Sequence, residues 1–123
     1  MQALVIDDSR TVRVIISKIL IEVGMHVVEA GNGREGLDRL RQTSDLDLIL
    51  VDWNMPEMNG LEFIRAVRAD RAYDPIRIMM VTTETEQDQV IRALDAGANE
   101  YLMKPFTKDV LLAKLSLLDV LGE

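Results

Sequence analysis

Short apolar segments alternate with segments of helical periodicity five times along the chain. The apolar segments are rich in Val, Ile and Leu, as is typical of strands that are buried on both faces. The clearest helical pattern runs from Val12 to Val23 and stops at Gly24, a residue favoured just beyond helix C-termini. The predicted strands are Ala3–Ile6, Val27–Val28, Leu46–Val51, Ile76–Val81 and Tyr101–Met103.

Capping residues indicate where further helices begin. An Asn or Thr that is followed three positions later by an acidic residue can bond the free N–H groups of a first helical turn. The last helix is predicted from about Thr107 to Leu121. The predicted capping pairs are Asn32 with Glu35, Asn59 with Glu62, and Thr85 with Asp88.

Strands that alternate with helices predict an α/β fold, here a doubly wound parallel sheet of five strands with helices on both faces. No linker, repeat or low-complexity stretch divides the sequence, so we predict one domain over residues 1–123. Ligands of such folds bind at the carboxyl ends of the strands. The residues that follow the strands are therefore the first candidates for function.

Composition disfavours several classes of protein. The chain has no cysteine, which excludes disulfides and thiolate metal sites. Its net charge of −7 disfavours direct binding to the phosphate backbone of nucleic acids. The sequence shows neither a secretory signal nor an apolar run of membrane-spanning length. We therefore expect a cytoplasmic protein with no membrane insertion.

Polar side chains that could act together follow the predicted strands. Three of them are carboxylates, which would repel one another without a cation between them. Mg²⁺ suits such a cluster because it binds through a few carboxylates and keeps several waters. With a lysine and a hydroxyl nearby, a carboxylate could accept a phosphoryl group as an acyl phosphate. These residues are Asp7, Asp8, Asp52, Thr82, Thr83 and Lys104.

Four motifs, taken as a set, resemble those of bacterial response-regulator receiver domains, and are most similar to those of its single-domain chemotaxis members. The likeness covers the whole chain. It implies a flavodoxin-like strand order of 2-1-3-4-5 and a switch that receives its phosphoryl group from a histidine kinase. The motifs are Asp7-Asp8, Asp52–Gly60, Val81-Thr82 and Lys104–Phe106.

The resemblance implies a role for each residue of the acidic site. Asp52 matches the phosphoacceptor of the family. Asp8 matches the carboxylate that binds Mg²⁺ directly, and Asp7 matches a neighbour that acts largely through water. Asn54 matches the residue whose main-chain carbonyl completes the metal shell.

The resemblance also implies a switch. Thr82 matches the hydroxyl that swings toward the phosphoryl oxygen, and Tyr101 matches the aromatic ring that then turns inward. Lys104 matches the lysine that pairs with the phosphoryl group. The Lys104–Pro105 peptide bond is expected to be cis, as it usually is in the family.

Two positions depart from the usual family pattern. Thr83 stands where the family usually has a small residue, and its branched side chain would narrow access to Asp52. The fourth helix begins with acidic residues from Glu84, where the chemotaxis proteins have lysines, so their motor partner is not carried over. Asn54 and Glu84 also match positions that tune the lifetime of the acyl phosphate.

The last helix carries more apolar residues than one buried face needs. We therefore predict that helix 4, strand 5 and helix 5 form a face that binds a downstream target or a second copy of the chain. The alternative is a helix that continues into a linker and an output domain. The predicted core stripe is Val110, Leu111, Leu115 and Leu118, and the surplus is Leu112, Leu117, Val120 and Leu121.

Three other functions share part of this chemistry. A phosphatase of the haloacid dehalogenase type would need Asp-x-Asp after its first strand, whereas Asp7 and Asp8 are adjacent. A nucleotide or flavin binder would need a glycine loop after the first strand, and the sequence has none there. The third is a receiver-like scaffold that no longer takes phosphate. We expect no enzyme activity beyond self-catalysed phosphoryl transfer and autodephosphorylation.

Overall fold

A computed structural model describes residues 1–83 and 87–120. Strands and α-helices alternate along these ranges, with one short 3-10 helix, Arg71–Tyr73, before the fourth strand. The strands are β1 (Gln2–Ile6), β2 (His26–Ala30), β3 (Leu48–Asp52), β4 (Arg77–Thr83) and β5 (Glu100–Lys104). The helices are α1 (Arg10–Glu22), α2 (Gly33–Gln42), α3 (Gly60–Arg68), α4 (Gln87–Ala96) and α5 (Lys108–Leu117).

The strands form one parallel sheet in the order β2-β1-β3-β4-β5. The predicted fold class and strand order are therefore confirmed. In this register Asp52 lies beside Val81, and Thr83 lies beside Lys104. The polar residues that end β3, β4 and β5 consequently meet along one edge of the sheet.

The strands alternate their side chains between two hydrophobic cores, one on each face of the sheet. On one face, Ile49 and Ile78 pack with Phe63 and other residues of α2, α3 and α4. On the other face, Leu50 and Met79 pack with residues of α1 and α5. Burial on both faces explains why the central strands are apolar at nearly every position.

The capping predictions are largely confirmed. Asn59 and Glu62 form the complete capping box of α3, each side chain accepting a hydrogen bond from the other's backbone N–H. At α2 the Asn32 side chain caps as predicted, but the Glu35 carboxylate accepts from the N–H of Gly31 instead. Thr85 lies outside the described residues.

The prediction for the last helix is wrong in part. The helix ends at Leu117, and Leu121 lies outside the described residues. Val110, assigned to the core, is 45% exposed, whereas Val120, assigned to the surplus, is 4% exposed. The chain turns after Leu118, and this turn brings Val120 back onto the core that α5 already covers. The apolar surplus on this helix is therefore smaller than the periodicity indicated.

Candidate functional site

The three predicted carboxylates converge at the carboxyl edge of the sheet. Asp7 and Asp8 follow β1, and Asp52 is the last residue of β3. One carboxylate oxygen from each lies within 4.8 Å of the others. Asp7 and Asp52 are buried while Asp8 is exposed, so the cluster opens to solvent on one side.

Lys104, at the end of β5, supplies a positive charge to the cluster. Its Nζ lies 3.2 Å from Asp7 Oδ2 and 3.3 Å from Asp52 Oδ1. Asp7 also accepts a hydrogen bond from the backbone N–H of Ser9 at 2.8 Å. Lys104 thus pairs with two of the three carboxylates, and the cluster carries a negative charge that these contacts leave unbalanced.

Burial and charge both act on Asp52. Loss of solvent, followed by the negative charge of Asp7, raises the pKa of Asp52 to about 6, although Lys104 opposes the shift. Burial lowers the pKa of Lys104, but the charges of Asp52 and Asp7 outweigh it and raise that pKa overall. Asp52 is therefore ionised at neutral pH, although burial and the nearby charge of Asp7 disfavour its ionised form.

The donor set fits a hard divalent cation. Its three potential ligands are carboxylate oxygens, which Mg²⁺ prefers, and the solvent-facing side leaves room for water ligands. Asp7, Asp8 and Asp52 would hold the ion. Asn54 lies two residues beyond Asp52 with an exposed side chain, and the role of its carbonyl stays a prediction.

Close backbone packing fixes the position of Asp52. A Cβ added to Gly60, the first residue of α3, would lie 2.6 Å from the carbonyl oxygen of Asp52. The N–H of Gly60 donates to the carbonyl of Trp53 at 2.9 Å, and the N–H of Trp53 donates to Val81 at 3.0 Å. Trp53 is buried beside the acceptor, so its fluorescence should report on the site.

The two threonines at the end of β4 differ in environment. Thr82 is 1% exposed, and its hydroxyl donates to Oε1 of Gln89 on α4 at 3.0 Å. Thr83 is exposed. Thr82 thus points its proton at α4 rather than at the acids, and the predicted roles of both threonines stay predictions.

Tyr101 lies in β5 and packs against the core that α2, α3 and α4 cover. Its ring is partly buried, and Lys114 Nζ lies 3.9 Å from the ring centroid. Lys114 also binds the carboxylate of Glu100 at 3.0 Å. A cavity of about 230 Å³ beside Tyr101 is lined by Gln87, Val90, Ile91, Tyr101 and Met103.

Sequence reasoning missed several partners of the predicted residues. Gln89, Lys114 and Glu100 each contact a proposed switch residue or its neighbour, yet no motif singled them out. Their types are ordinary on solvated helices and strand ends, so the sequence holds no signal for them. Glu84 lies outside the described residues, and the Lys104–Pro105 peptide bond is cis as expected.

Residues 3–116 match the family described as response regulator receiver domain. The chain therefore belongs to this family. A chemotaxis protein CheY homolog of Campylobacter jejuni is 50% identical to this receiver, over 99% of this chain and 93% of the relative. Chemotaxis protein CheY1 of Helicobacter pylori is 47% identical over 99% of this chain and 98% of the relative.

Solved structures agree with this assignment. The receiver superimposes on the chemotaxis protein CheY4 of Vibrio cholerae with a TM-score of 0.88 and 37% identity, over 95% of this chain and 97% of the other. Among the described residues, no helix has both the length and the apolar character needed to cross a membrane.

Proposed function

We propose that this receiver domain is the phosphorylation switch of a two-component chemotaxis pathway. Asp52 accepts a phosphoryl group from a histidine kinase in a Mg²⁺-dependent reaction. The observation that supports this most is the cluster of Asp7, Asp8 and Asp52, with Lys104 paired to Asp7 and Asp52. The relatives named as chemotaxis proteins support the pathway.

In this reaction an Oδ atom of Asp52 attacks the phosphorus of a phosphohistidine. The P–N bond breaks, and the imidazole nitrogen leaves with its electron pair. Lys104 exchanges part of its pairing with Asp52 for a phosphoryl oxygen. Bound Mg²⁺ supplies positive charge to the carboxylates and the phosphoryl oxygens. Because the pKa of Asp52 is about 6, its nucleophilic form dominates at neutral pH.

The phosphorylated state then favours a second arrangement of Thr82 and Tyr101, as in the family. The face that changes comprises α4, β5 and α5, where Ile91 and Leu117 are exposed. A downstream protein or a second copy of the chain would bind there. The branched side chain of Thr83 limits the access of small phosphodonors to Asp52. Asn54 and Glu84 keep their proposed role in the lifetime of the acyl phosphate.

The switch turns over no external substrate, and it operates in the cytoplasm without touching nucleic acid. Its chemistry ends with autodephosphorylation. The rival reading is a scaffold that binds metal without taking phosphate. Capture of a phosphoryl group distinguishes the two.

The decisive experiment follows Trp53 fluorescence while Mg²⁺ and then beryllofluoride are added. We expect one change with the metal and a second with beryllofluoride, which mimics the phosphoryl group. In Asp52→Asn the second change should disappear. Acetyl phosphate followed by mass measurement should add one phosphoryl group to the wild type only.

Asp38→Asn is the matched control, because Asp38 is an exposed carboxylate of α2. It should behave as the wild type does. A wild-type chain that binds Mg²⁺ but never responds to beryllofluoride, and gains no mass, would favour the scaffold instead.

A further inference from the structure

The hydroxyl of Thr82 is already engaged. It donates to Oε1 of Gln89 at 3.0 Å, and Thr82 itself is 1% exposed. Gln89 is the third residue of α4 and is only partly buried. The bond therefore joins the end of β4, next to the acceptor site, to the first turn of α4.

A threonine hydroxyl has a single proton to donate. If Thr82 donates that proton to a phosphoryl oxygen on Asp52, it cannot also donate to Gln89. The two bonds are alternatives, one for each state of the switch. The side-chain oxygen of Gln89 then competes with the phosphoryl group for the same proton.

We propose that Gln89 is a positioning residue that holds the Thr82 hydroxyl away from Asp52 in the unphosphorylated protein and frees α4 when that bond breaks. This inference rests on the proposed function. It assigns to Gln89 a part in regulation of the acceptor site, acting through Thr82 and not on the phosphoryl group itself.

Because α4 is held to the core by few buried side chains, a single hydrogen bond can affect its position. Only Val90 and Ala93 are buried on this helix among its described residues, whereas Ile91 and Leu94 are exposed. A helix with so few apolar anchors is among the parts of a fold that shift most readily. Loss of a polar contact in its first turn can therefore alter the face that α4 presents.

The test measures how much beryllofluoride half-saturates the Trp53 signal in saturating Mg²⁺. Gln89→Met keeps the side-chain length but removes the acceptor oxygen. Since a neutral hydrogen bond shifts an equilibrium by about fivefold, capture should become about fivefold tighter. Affinity for Mg²⁺ alone should stay unchanged, because Gln89 does not contact the acids.

Two further variants separate competition from packing. Gln89→Glu keeps an acceptor and makes the bond charge-assisted, so capture should weaken. In a Thr82→Ala background the effect of Gln89→Met should disappear, because there is no hydroxyl proton for which Gln89 and the phosphoryl group can compete. Gln42→Met, at the exposed end of α2, makes the same chemical change elsewhere and should have no effect.

The outcomes distinguish this inference from the proposed function. If the wild type never captures beryllofluoride, both are wrong. If it does, and Gln89→Met captures no more tightly or acts equally in the Thr82→Ala background, only the role of Gln89 is wrong. Circular dichroism of each variant shows that the comparison is made between folded proteins.

Discussion

Two charged regions lie at opposite edges of the sheet and are built in opposite ways. At the carboxyl edge, Asp7 and Asp52 share the ammonium group of Lys104, and Asp8 lies within 4.8 Å of both carboxylates. At the amino edge, the guanidinium of Arg68, at the end of α3, donates to five acceptors, none of them charged. These are the carbonyls of Gly97, Tyr73, Asp74 and Ile76 and the side chain of Asn99.

The Arg68 region serves the stability of the fold, whereas the acidic cluster is suited to binding a ligand. The contacts of Arg68 run from 2.7 to 3.3 Å and tie α3 to the segments that precede β4 and β5. Burial lowers the pKa of Arg68, which is the cost of holding this cation inside. Its charge is nevertheless satisfied by the protein alone. The charge at Asp52 is not, and a site of that kind calls for a ligand.

Removal of Arg68 should have the largest effect on stability. Arg68→Ala leaves several partly buried carbonyls without a donor, so we expect the free energy of unfolding to fall by about 3 kcal/mol. Urea denaturation measures it. Arg65→Ala, at an exposed position of the same helix, should cost less than about 0.5 kcal/mol. A comparable loss in both variants would show that the five hydrogen bonds of Arg68 are not what stabilises this region.

Neutralisation of Asp52 should stabilise the protein, in contrast to the removal of Arg68. In metal-free buffer at neutral pH, Asp52→Asn should raise the free energy of unfolding by about 2 kcal/mol, because it removes a buried, repelled charge. The pKa of Asp52 rises from 3.8 to about 6 on folding, so the folded state binds more protons between these values. The contribution of Asp52 to the free energy of unfolding therefore falls as pH rises through this interval.

The gain from Asp52→Asn should consequently shrink toward zero near pH 4, where the wild-type carboxyl is already protonated in the folded protein. Unfolding curves at several pH values test this directly. A gain that is the same at pH 4 and pH 7.5 would show that repulsion at Asp52 is not its cause.

The affinity for Mg²⁺ should also depend on whether Asp52 is protonated. Below about pH 6, where Asp52 becomes protonated, the affinity should fall by about tenfold per pH unit, and above it should level off. Trp53 fluorescence titrations between pH 5 and 8 measure it. In Asp52→Asn the change in pH dependence near pH 6 should be absent. If it persists, a group other than Asp52 is responsible for it.

The smallest effect is expected at Lys114, whose charge pairs with the partly buried carboxylate of Glu100 at 3.0 Å. Its contact with the Tyr101 ring should contribute about 0.5 kcal/mol. A double-mutant cycle of Lys114→Met with Tyr101→Leu measures this coupling. Lys108→Met, which removes an exposed pair with Glu22, should show no coupling to Tyr101.

Much of the fold was predictable because its signals are local. Helical periodicity and caps such as Asn59 with Glu62 act between near neighbours in the chain. The order of the strands came from resemblance alone, since alternation does not determine which strands pair. The last helix was the weakest prediction, because a turn after Leu118 is invisible to a pattern that assumes the helix continues.

The acids of the site were also predictable, since each ends or directly follows a buried strand and parallel strands end at one edge. By itself, the sequence thus determined the elements, the fold class and the residues Asp7, Asp8, Asp52 and Lys104. Only the tertiary structure decided how they pair: Lys104 with Asp7, 97 positions away, and Thr82 with Gln89. Partners of that kind depend on which side chains the packed sheet and helices bring within bonding distance, and no local rule contains that information.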